Sequence, residues 1–122
     1  MMFMDKRHKN RIETVQNLFA YLFNKSQHNL PYPSDLTIKI IDHLKEIDAI
    51  IKVHAVKFPI DKIARIDLSI LRLAIYELVI TSVEPKKVII NEAIELAKEM
   101  GGEKSFSFIN GVLGKLVQAN ET

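Results

Sequence analysis

Apolar residues recur along this chain at intervals of three and four, which is the spacing of one face of a helix. This pattern predicts a first helix over Lys6–Asn24 and a second helix from Ser34 or Asp35 to about His54. Between them, residues 25–34 contain two prolines and several small polar residues, so they are expected to form a loop. The apolar stripe of the first helix is predicted to lie in the core and consists of Ile12, Val15, Leu18, Phe19, Leu22 and Phe23.

The next apolar stretch, residues 66–80, is apolar on nearly every side, a pattern that is typical of a helix buried all round. It is expected to form the spine of the domain and to end before Pro85. Phe58 and Pro59 interrupt the chain ahead of this helix, and Asp61 is expected to cap a short turn there.

Two further helices are predicted on either side of a pair of glycines. Gly101 and Gly102 follow the first of them and are expected to end it, since glycine adopts the left-handed cap conformation without strain. The last helix is expected to turn one apolar side to the core, made of Phe106, Ile109, Val112, Leu113, Leu116 and Val117. Phe108 points elsewhere, close to Lys104 and Ser105, and an aromatic ring beside a cation suits a nucleic-acid base stacked near its phosphate.

No segment alternates apolar and polar residues over a useful length, so the chain is predicted to be all-α. Its 122 residues suffice for a single domain with one core, and 48% apolar residues favour a folded chain over a disordered one. Gly111 and Gly114 fall inside the last predicted helix, where glycine costs about 1 kcal/mol relative to alanine. They are therefore expected where another backbone or a ligand approaches closely.

The net charge is only +2, but the positive charge is concentrated at the amino terminus. Residues 1–30 carry five basic and two acidic residues, and most of these cations lie between Lys6 and Arg11. Cations at a helix start oppose the helix dipole, which indicates another use for them. They would either bind phosphates with a salt-dependent affinity or form a frayed, solubilising terminus.

The sequence lacks the residue patterns of catalytic and metal sites. Cysteine is absent, and the four histidines are scattered without metal-ligand spacing and are expected at the surface. An enzyme is therefore not expected. Arg72 lies within the apolar spine, and because a buried arginine should be paired, a structural ion pair with Glu92 or Glu95 is predicted.

The chain also lacks an apolar run long enough for a signal peptide or a membrane-spanning helix. The absence of cysteine is compatible with a reducing compartment. A soluble cytoplasmic protein without a membrane partner is expected.

Three runs of the sequence together resemble the NusB family of bacterial transcription antitermination factors. They are RIDLSILRLAIYEL at residues 65–78, VIINEAIELAK at residues 88–98, and KSFSFINGVL at residues 104–113. At the amino end, a basic cluster followed by Arg11, Gln16, Leu18 and Phe19 is similar to the first helix of that family. The resemblance nearly spans the chain and implies an all-helical NusB-like fold, with two small packed bundles around a buried central helix.

The resemblance also implies a function. Members of this family bind the boxA element of nascent ribosomal RNA, usually together with the ribosomal protein that doubles as NusE, and help RNA polymerase read through terminators. Carried over position by position, the RNA surface would comprise Lys6, Arg7, Lys9, Arg11, Gln16, Phe19, Lys87, Lys104, Ser105 and Phe108. The NusE surface would comprise Asp67, Leu68 and Leu71. The free protein would be a monomer or a homodimer without a cofactor.

Two other interpretations of the sequence stay open. A NusB-like domain also occurs fused to ribosomal RNA cytosine methyltransferases, although the length of this chain is expected to leave no room for a methyl-donor-binding domain. The other is a helical protein-interaction adaptor that uses only the spine-helix surface and does not bind RNA. The amino-terminal cations discriminate between binding RNA and not binding it, because affinity for phosphates depends steeply on salt.

Overall fold

The computed structural model describes residues 5–120. Its α-helices in that range are α1 (Lys6–Asn24), α2 (Asp35–Asp42), α3 (Leu44–His54), α4 (Arg65–Ile75), α5 (Lys86–Met100) and α6 (Ser105–Asn120). A 3-10 turn, Ile60–Lys62, precedes α4, and a π-helical segment, Tyr76–Thr81, continues it. The described residues contain no strand, so the all-α prediction is confirmed.

Helix α1 has the predicted bounds, but its apolar stripe is wider than the part that is buried. Val15 and Leu18 are fully buried, whereas Phe19 and Phe23 are 37% and 58% exposed. The two phenylalanine rings contact each other edge on, with centroids 5.1 Å apart. The prediction that these two rings lie in the core is therefore wrong, because they fall at the margin of the face that α1 turns to its neighbours.

The predicted second helix is two helices in the structure. As predicted, α2 begins after Ser34, whose side chain accepts a hydrogen bond from the backbone N–H of Thr37 at 3.1 Å. Its end is set by His43, whose ring Nδ1 donates to the carbonyl of Lys39 at 2.7 Å. The backbone N–H of His43 instead donates to the carbonyl of Ile40 at 3.0 Å, which closes a tighter turn. Apolar spacing continues across this break, so periodicity alone predicted one helix.

The loop between α1 and α2 is tied to α1 by the buried side chain of Asn17. Its amide donates to the carbonyl of Tyr32 at 2.7 Å and to Thr37 Oγ1 at 2.8 Å. Its oxygen accepts from the backbone N–H of Tyr32 at 2.8 Å. A buried amide with these three partners leaves no polar group unsatisfied there and fixes the position of the loop.

Helix α4 is the predicted spine. Its residues from Asp67 onward are buried, and it packs against α1, α3, α5 and α6. The short turn before it differs from expectation, because Pro59 occupies the cap position and Asp61 lies exposed within the turn without capping it. The ring of proline fixes φ near the helical value, so a proline can start such a turn without a side-chain cap. No helix in residues 5–120 is long and apolar enough to cross a membrane.

Arg72 on α4 is 6% exposed and is paired, but not with α5. Its Nε and Nη2 atoms donate to the two carboxylate oxygens of Asp48 on α3, at 3.0 and 2.9 Å. The prediction of Glu92 or Glu95 as the partner is wrong, because the guanidinium of Arg72 faces α3 and both glutamates have other partners. Glu92 contacts His8, and Glu95 lies 4.0 Å from Lys98.

Candidate nucleic-acid interface

Ion pairs hold the amino end of α1 against the end of the spine. Arg11 is buried, and its guanidinium donates to both carboxylate oxygens of Glu77 at 2.9 and 2.7 Å and also to Glu84. The hydrogen bond with Glu77 raises the pKa of Arg11, which therefore stays charged. Arg7 donates to the other oxygen of Glu84 at 3.0 Å. Both arginines were predicted as RNA contacts, yet their guanidinium groups are engaged within the protein.

His8 lies between two carboxylates of α5. Its Nδ1 is 2.6 Å from Glu92 Oε2, and its Nε2 is 2.7 Å from Glu99 Oε1. The expectation that the histidines are plain surface residues is wrong for His8, whose side chain is only 15% exposed. Glu99 is the penultimate residue of α5, so this contact brings the amino end of α1 to the turn between α5 and α6.

The basic amino end is therefore less positive than the sequence suggests. Four carboxylates distant in sequence, Glu77, Glu84, Glu92 and Glu99, surround its arginines and its histidine. Among the described residues, Lys6 and Lys9 alone of the predicted amino-terminal cations have no ion-pair partner, and both are exposed. Both are free to meet a phosphate, whereas Arg7, although its side chain is 70% exposed, is already paired with Glu84.

The remaining predicted RNA residues of α1 and α5 differ in exposure and contacts. Lys87 is exposed in the first turn of α5, three residues after the Glu84 that pairs with Arg7. Gln16 is half-buried further along α1. Phe19 lies one turn beyond Gln16 and contacts Phe23 rather than any predicted RNA residue.

The turn between α5 and α6 depends on a close approach of Gly101 to Ser105 and Ala97, and not on a glycine in the left-handed conformation. Gly101 has φ −94° and ψ −170°, which is extended backbone, so the prediction of a left-handed cap is wrong. A Cβ at this position would lie 2.4 Å from Ser105 Oγ and 2.8 Å from the carbonyl oxygen of Ala97. Ser105 itself is buried, and its Oγ accepts from the backbone N–H of Gly102 at 2.9 Å. Ser105 thus shapes the turn that exposes Lys104.

Substituting Gly101 should destabilise the protein, while its neighbour provides a matched control. Gly101→Ala forces Ser105 and the backbone at Ala97 apart, so we expect a loss of about 1–3 kcal/mol of unfolding free energy. Gly102→Ala should change it by well under 1 kcal/mol, because nothing lies within 4 Å of its Cβ position. Urea unfolding of both variants measures the difference. Equal stabilities would contradict this account of the turn.

Phe108 lines an open cavity of about 570 Å³ at the start of α6. Its ring packs edge on against Phe58, with centroids 5.5 Å apart. The cavity lining consists of Phe58, Lys62, Ile63, Ala64, Asp67, Lys104, Ser107 and Phe108. The walls are mainly apolar with two lysines among them, a combination that suits a stacked base with an adjoining phosphate.

Phe106 and Phe108 exchange the places predicted for them. Phe106 is 42% exposed and lies under the ammonium of Lys98, which is 5.3 Å from the ring centroid. Phe108 is the half-buried ring of the two and packs against the core. Gly111 and Gly114 do not lie against another backbone, since a Cβ at either position would have open space around it among the described residues. The alternative that a ligand approaches these glycines stays a prediction.

The predicted partner surface at the start of α4 is mostly buried. Leu68 and Leu71 lie in the core, so these two residues are not surface contacts as predicted. Asp67 borders the cavity, is only 7% exposed, and has an Oδ1 atom without a hydrogen-bond partner among the described residues. Outside the cavity, Arg65 at the start of α4 is exposed, and its guanidinium carbon is 5.0 Å from the ring centroid of the exposed Phe23.

Sequence reasoning missed the residues that complete these surfaces. Phe58 and Lys62 line the cavity although they belong to the segment treated as an interruption. An aromatic residue in a loop is the one local signal that could have drawn attention to Phe58. Arg65 stacks on Phe23 only because α1 and α4 pack together, and nothing in the local sequence indicates this contact.

Comparisons with known proteins identify the family. A family model described as the NusB family matches residues 3–118. The transcription antitermination protein NusB of Lysinibacillus sphaericus is 36% identical, with 93% of this chain and 98% of that protein covered. NusB of Finegoldia magna is also 36% identical, over 93% of this chain and 80% of its own length. The chain belongs to the NusB family of transcription antitermination factors.

Solved structures share the fold. NusB of T. maritima superposes with a TM-score of 0.83 at 28% identity, covering 95% of this chain and 93% of that chain. A structure described as antitermination factors NusB and NusE in complex with dsRNA superposes with a TM-score of 0.73, covering 94% of this chain and 99% of that chain. Its 22% identity supports the fold alone. The predicted NusB-like arrangement around a buried central helix is thus confirmed.

Proposed function

We propose that this protein binds the boxA RNA of ribosomal RNA transcripts jointly with NusE and thereby supports antitermination by RNA polymerase. The observation that carries the proposal is the cavity in which Phe108 and Phe58 meet edge on while Lys62 and Lys104 line the same space. Proteins hold single-stranded RNA by stacking its bases on aromatic rings and pairing its phosphates with cations. The chain belongs to the NusB family and is 36% identical to transcription antitermination proteins of that family, which supports a role in antitermination.

The RNA path runs from the amino end of α1 to the cavity. Lys6 and Lys9 are exposed cations at one end, and Lys104 and Phe108 are at the other. The contact of His8 with Glu99 links the two ends through the last turn of α5. Arg7, Arg11 and Ser105 take part by holding these elements in place rather than by contacting the RNA, while Lys87 and Gln16 flank the path.

The NusE surface lies at the start of α4 and beside α1. Phe19 and Phe23 form an exposed aromatic pair, and Arg65 stacks on Phe23 two residues before Asp67. We assign Phe19 to this surface instead of the RNA surface because its contact is with Phe23. Asp67 stays assigned to this surface through the family resemblance, and its buried Oδ1 has no hydrogen-bond partner among the described residues.

A lysine-to-alanine series tests the RNA path. Each phosphate contact on a single strand adds about 0.7 to the slope of log affinity against log salt. Replacing Lys6, Lys9 and Lys104 together should therefore reduce that slope by roughly 2 and weaken binding most at low salt. Lys39, Lys45 and Lys52 are equally exposed on α2 and α3, and their triple alanine variant is the matched control.

Fluorescence titration of boxA RNA at several salt concentrations, with NusE present, reads out both triple variants. An unchanged slope in the Lys6, Lys9 and Lys104 variant would contradict the proposed path. Binding of NusE without any binding of RNA would identify the protein as a protein-interaction adaptor instead.

A further inference from the structure

The contact that docks the amino end of α1 onto α5 requires a charged histidine. Both ring nitrogens of His8 face a carboxylate oxygen, Glu92 at 2.6 Å and Glu99 at 2.7 Å. A neutral imidazole has one N–H donor and one lone pair, so it would set that lone pair against one of the carboxylates. Only the imidazolium donates at both nitrogens and satisfies both partners.

Several charged groups pack around His8, so its protonation decides the local balance between positive and negative charge. On α1, the Nη1 of Arg11 lies 3.9 Å from Glu92 Oε2, while its Nε donates to Glu77 at the end of the spine. From the connection before α5, Glu84 pairs with Arg7 and Arg11. On α5, the nearby Glu95 faces Lys98.

The described amino end therefore carries nearly cancelling charges. The carboxylates are Asp5, Glu77, Glu84, Glu92 and Glu99, and the permanent cations are Lys6, Arg7, Lys9 and Arg11. With neutral His8 the carboxylates outnumber the cations, and either Glu92 or Glu99 loses its hydrogen bond from the ring. Charged His8 compensates Glu92 and Glu99 directly, so Lys6 and Lys9, which have no ion-pair partner among the described residues, can act on a phosphate.

We propose that His8 is a positioning residue whose proton docks the basic end of α1 against α5 and makes RNA binding depend on pH. This inference rests on the proposed RNA-binding function. His8 does not touch the RNA in this account. It holds α1 in the position from which Lys6 and Lys9 reach the phosphates, and it offsets the negative charge of Glu92 and Glu99.

The direction of the pH effect follows from the same contacts. The hydrogen bond with Glu92 is the main cause that raises the pKa of His8 above its ordinary value of 6.5, with a further contribution from Glu99. A group whose pKa is raised on folding stabilises the fold fully below its unfolded pKa, and this stabilisation is lost as pH rises through the folded pKa. Docking and RNA affinity should therefore both decrease toward alkaline pH.

The direct test follows the His8 ring by NMR in the full chain while pH is raised, and measures boxA RNA affinity in parallel with NusE present. His8 should titrate above its ordinary pKa, and RNA affinity should fall by up to about tenfold per pH unit beyond that point. His8→Arg keeps a cation that can donate to both carboxylates, so its affinity should stay high and nearly independent of pH. His8→Gln should bind weakly at every pH, with the same loss of pH dependence.

His28→Arg is the matched control, because His28 is exposed and its ring has no contact among the described residues. It should retain the pH dependence of the wild type. Wild-type affinity that is flat across the titration, or a His8 ring that titrates at its ordinary value, would overturn the inference while leaving the proposed function intact. Absence of RNA binding at every pH, with His8 still titrating at a raised value, would instead overturn the proposed function and with it the RNA role of His8.

Discussion

Replacing Asp48 with alanine should remove about 3–5 kcal/mol of unfolding free energy. Asp48 on α3 receives two hydrogen bonds from the guanidinium of Arg72, at 3.0 and 2.9 Å. Arg72 is almost fully buried in the spine helix. Removing its only carboxylate partner among the described residues would leave a buried charge without compensation, which costs far more than the pair itself contributes.

Urea unfolding of a few variants separates the effect of losing this ion pair from other causes of destabilisation. Asp48→Asn retains one hydrogen-bond acceptor and should lose less than Asp48→Ala. The double variant Asp48→Ala with Arg72→Met should recover most of the loss, because neither charge is then left buried. Asp61→Ala, at an exposed aspartate without an ion pair, should change stability by less than about 0.5 kcal/mol. A similarly small effect for Asp48→Ala would contradict the structural role of this pair.

Phe108→Ala should weaken boxA RNA binding by roughly 5- to 150-fold, which corresponds to the 1–3 kcal/mol that stacking one base on an aromatic ring contributes. The cavity beside Phe108 suits such a base, since Phe58 packs against the ring and Lys104 lies at the cavity. The ring also packs partly against the core, so we expect some loss of stability as well.

Two further variants distinguish stacking from folding. Phe108→Leu keeps an apolar side chain in the cavity wall, so its stability should remain near that of the wild type while RNA binding stays weak. Phe106→Ala removes an exposed ring that lies outside the cavity lining and should leave RNA affinity within about twofold. RNA binding by Phe108→Ala at the wild-type level would show that the base does not stack there.

Much of the fold could be predicted because helix periodicity and helix caps are local. The bounds of α1, the start of α2 after Ser34 and the buried spine all follow from residues close together in the sequence. The break at His43 could not be predicted this way, because the His43 side chain donates to the Lys39 carbonyl while the His43 backbone N–H donates to Ile40. Periodicity across that residue is unchanged.

Less of the site could be predicted because its charges are paired across the chain. Counting cations near the amino terminus suggested a strongly basic patch, but the carboxylates that neutralise Arg7 and Arg11 come from the end of the spine and the segment before α5. The same limit applies to Arg72, whose partner lies on α3. The pattern of an aromatic ring beside a cation, together with the family resemblance, points to Lys104 and Phe108, but the cavity they share with Phe58 became visible only in the folded protein.

We expect this protein and NusE together to bind boxA RNA through the surface formed by Lys6, Lys9, Lys104 and Phe108. The most direct measurement is a titration of boxA RNA and of a scrambled RNA of equal length, each with and without NusE, at low and high salt. We expect the mixture with NusE to bind boxA RNA more tightly than the scrambled RNA at both salt concentrations, with affinity falling steeply as salt rises. Equal affinity for the two RNAs, or binding of neither in the presence of NusE, would contradict the claim.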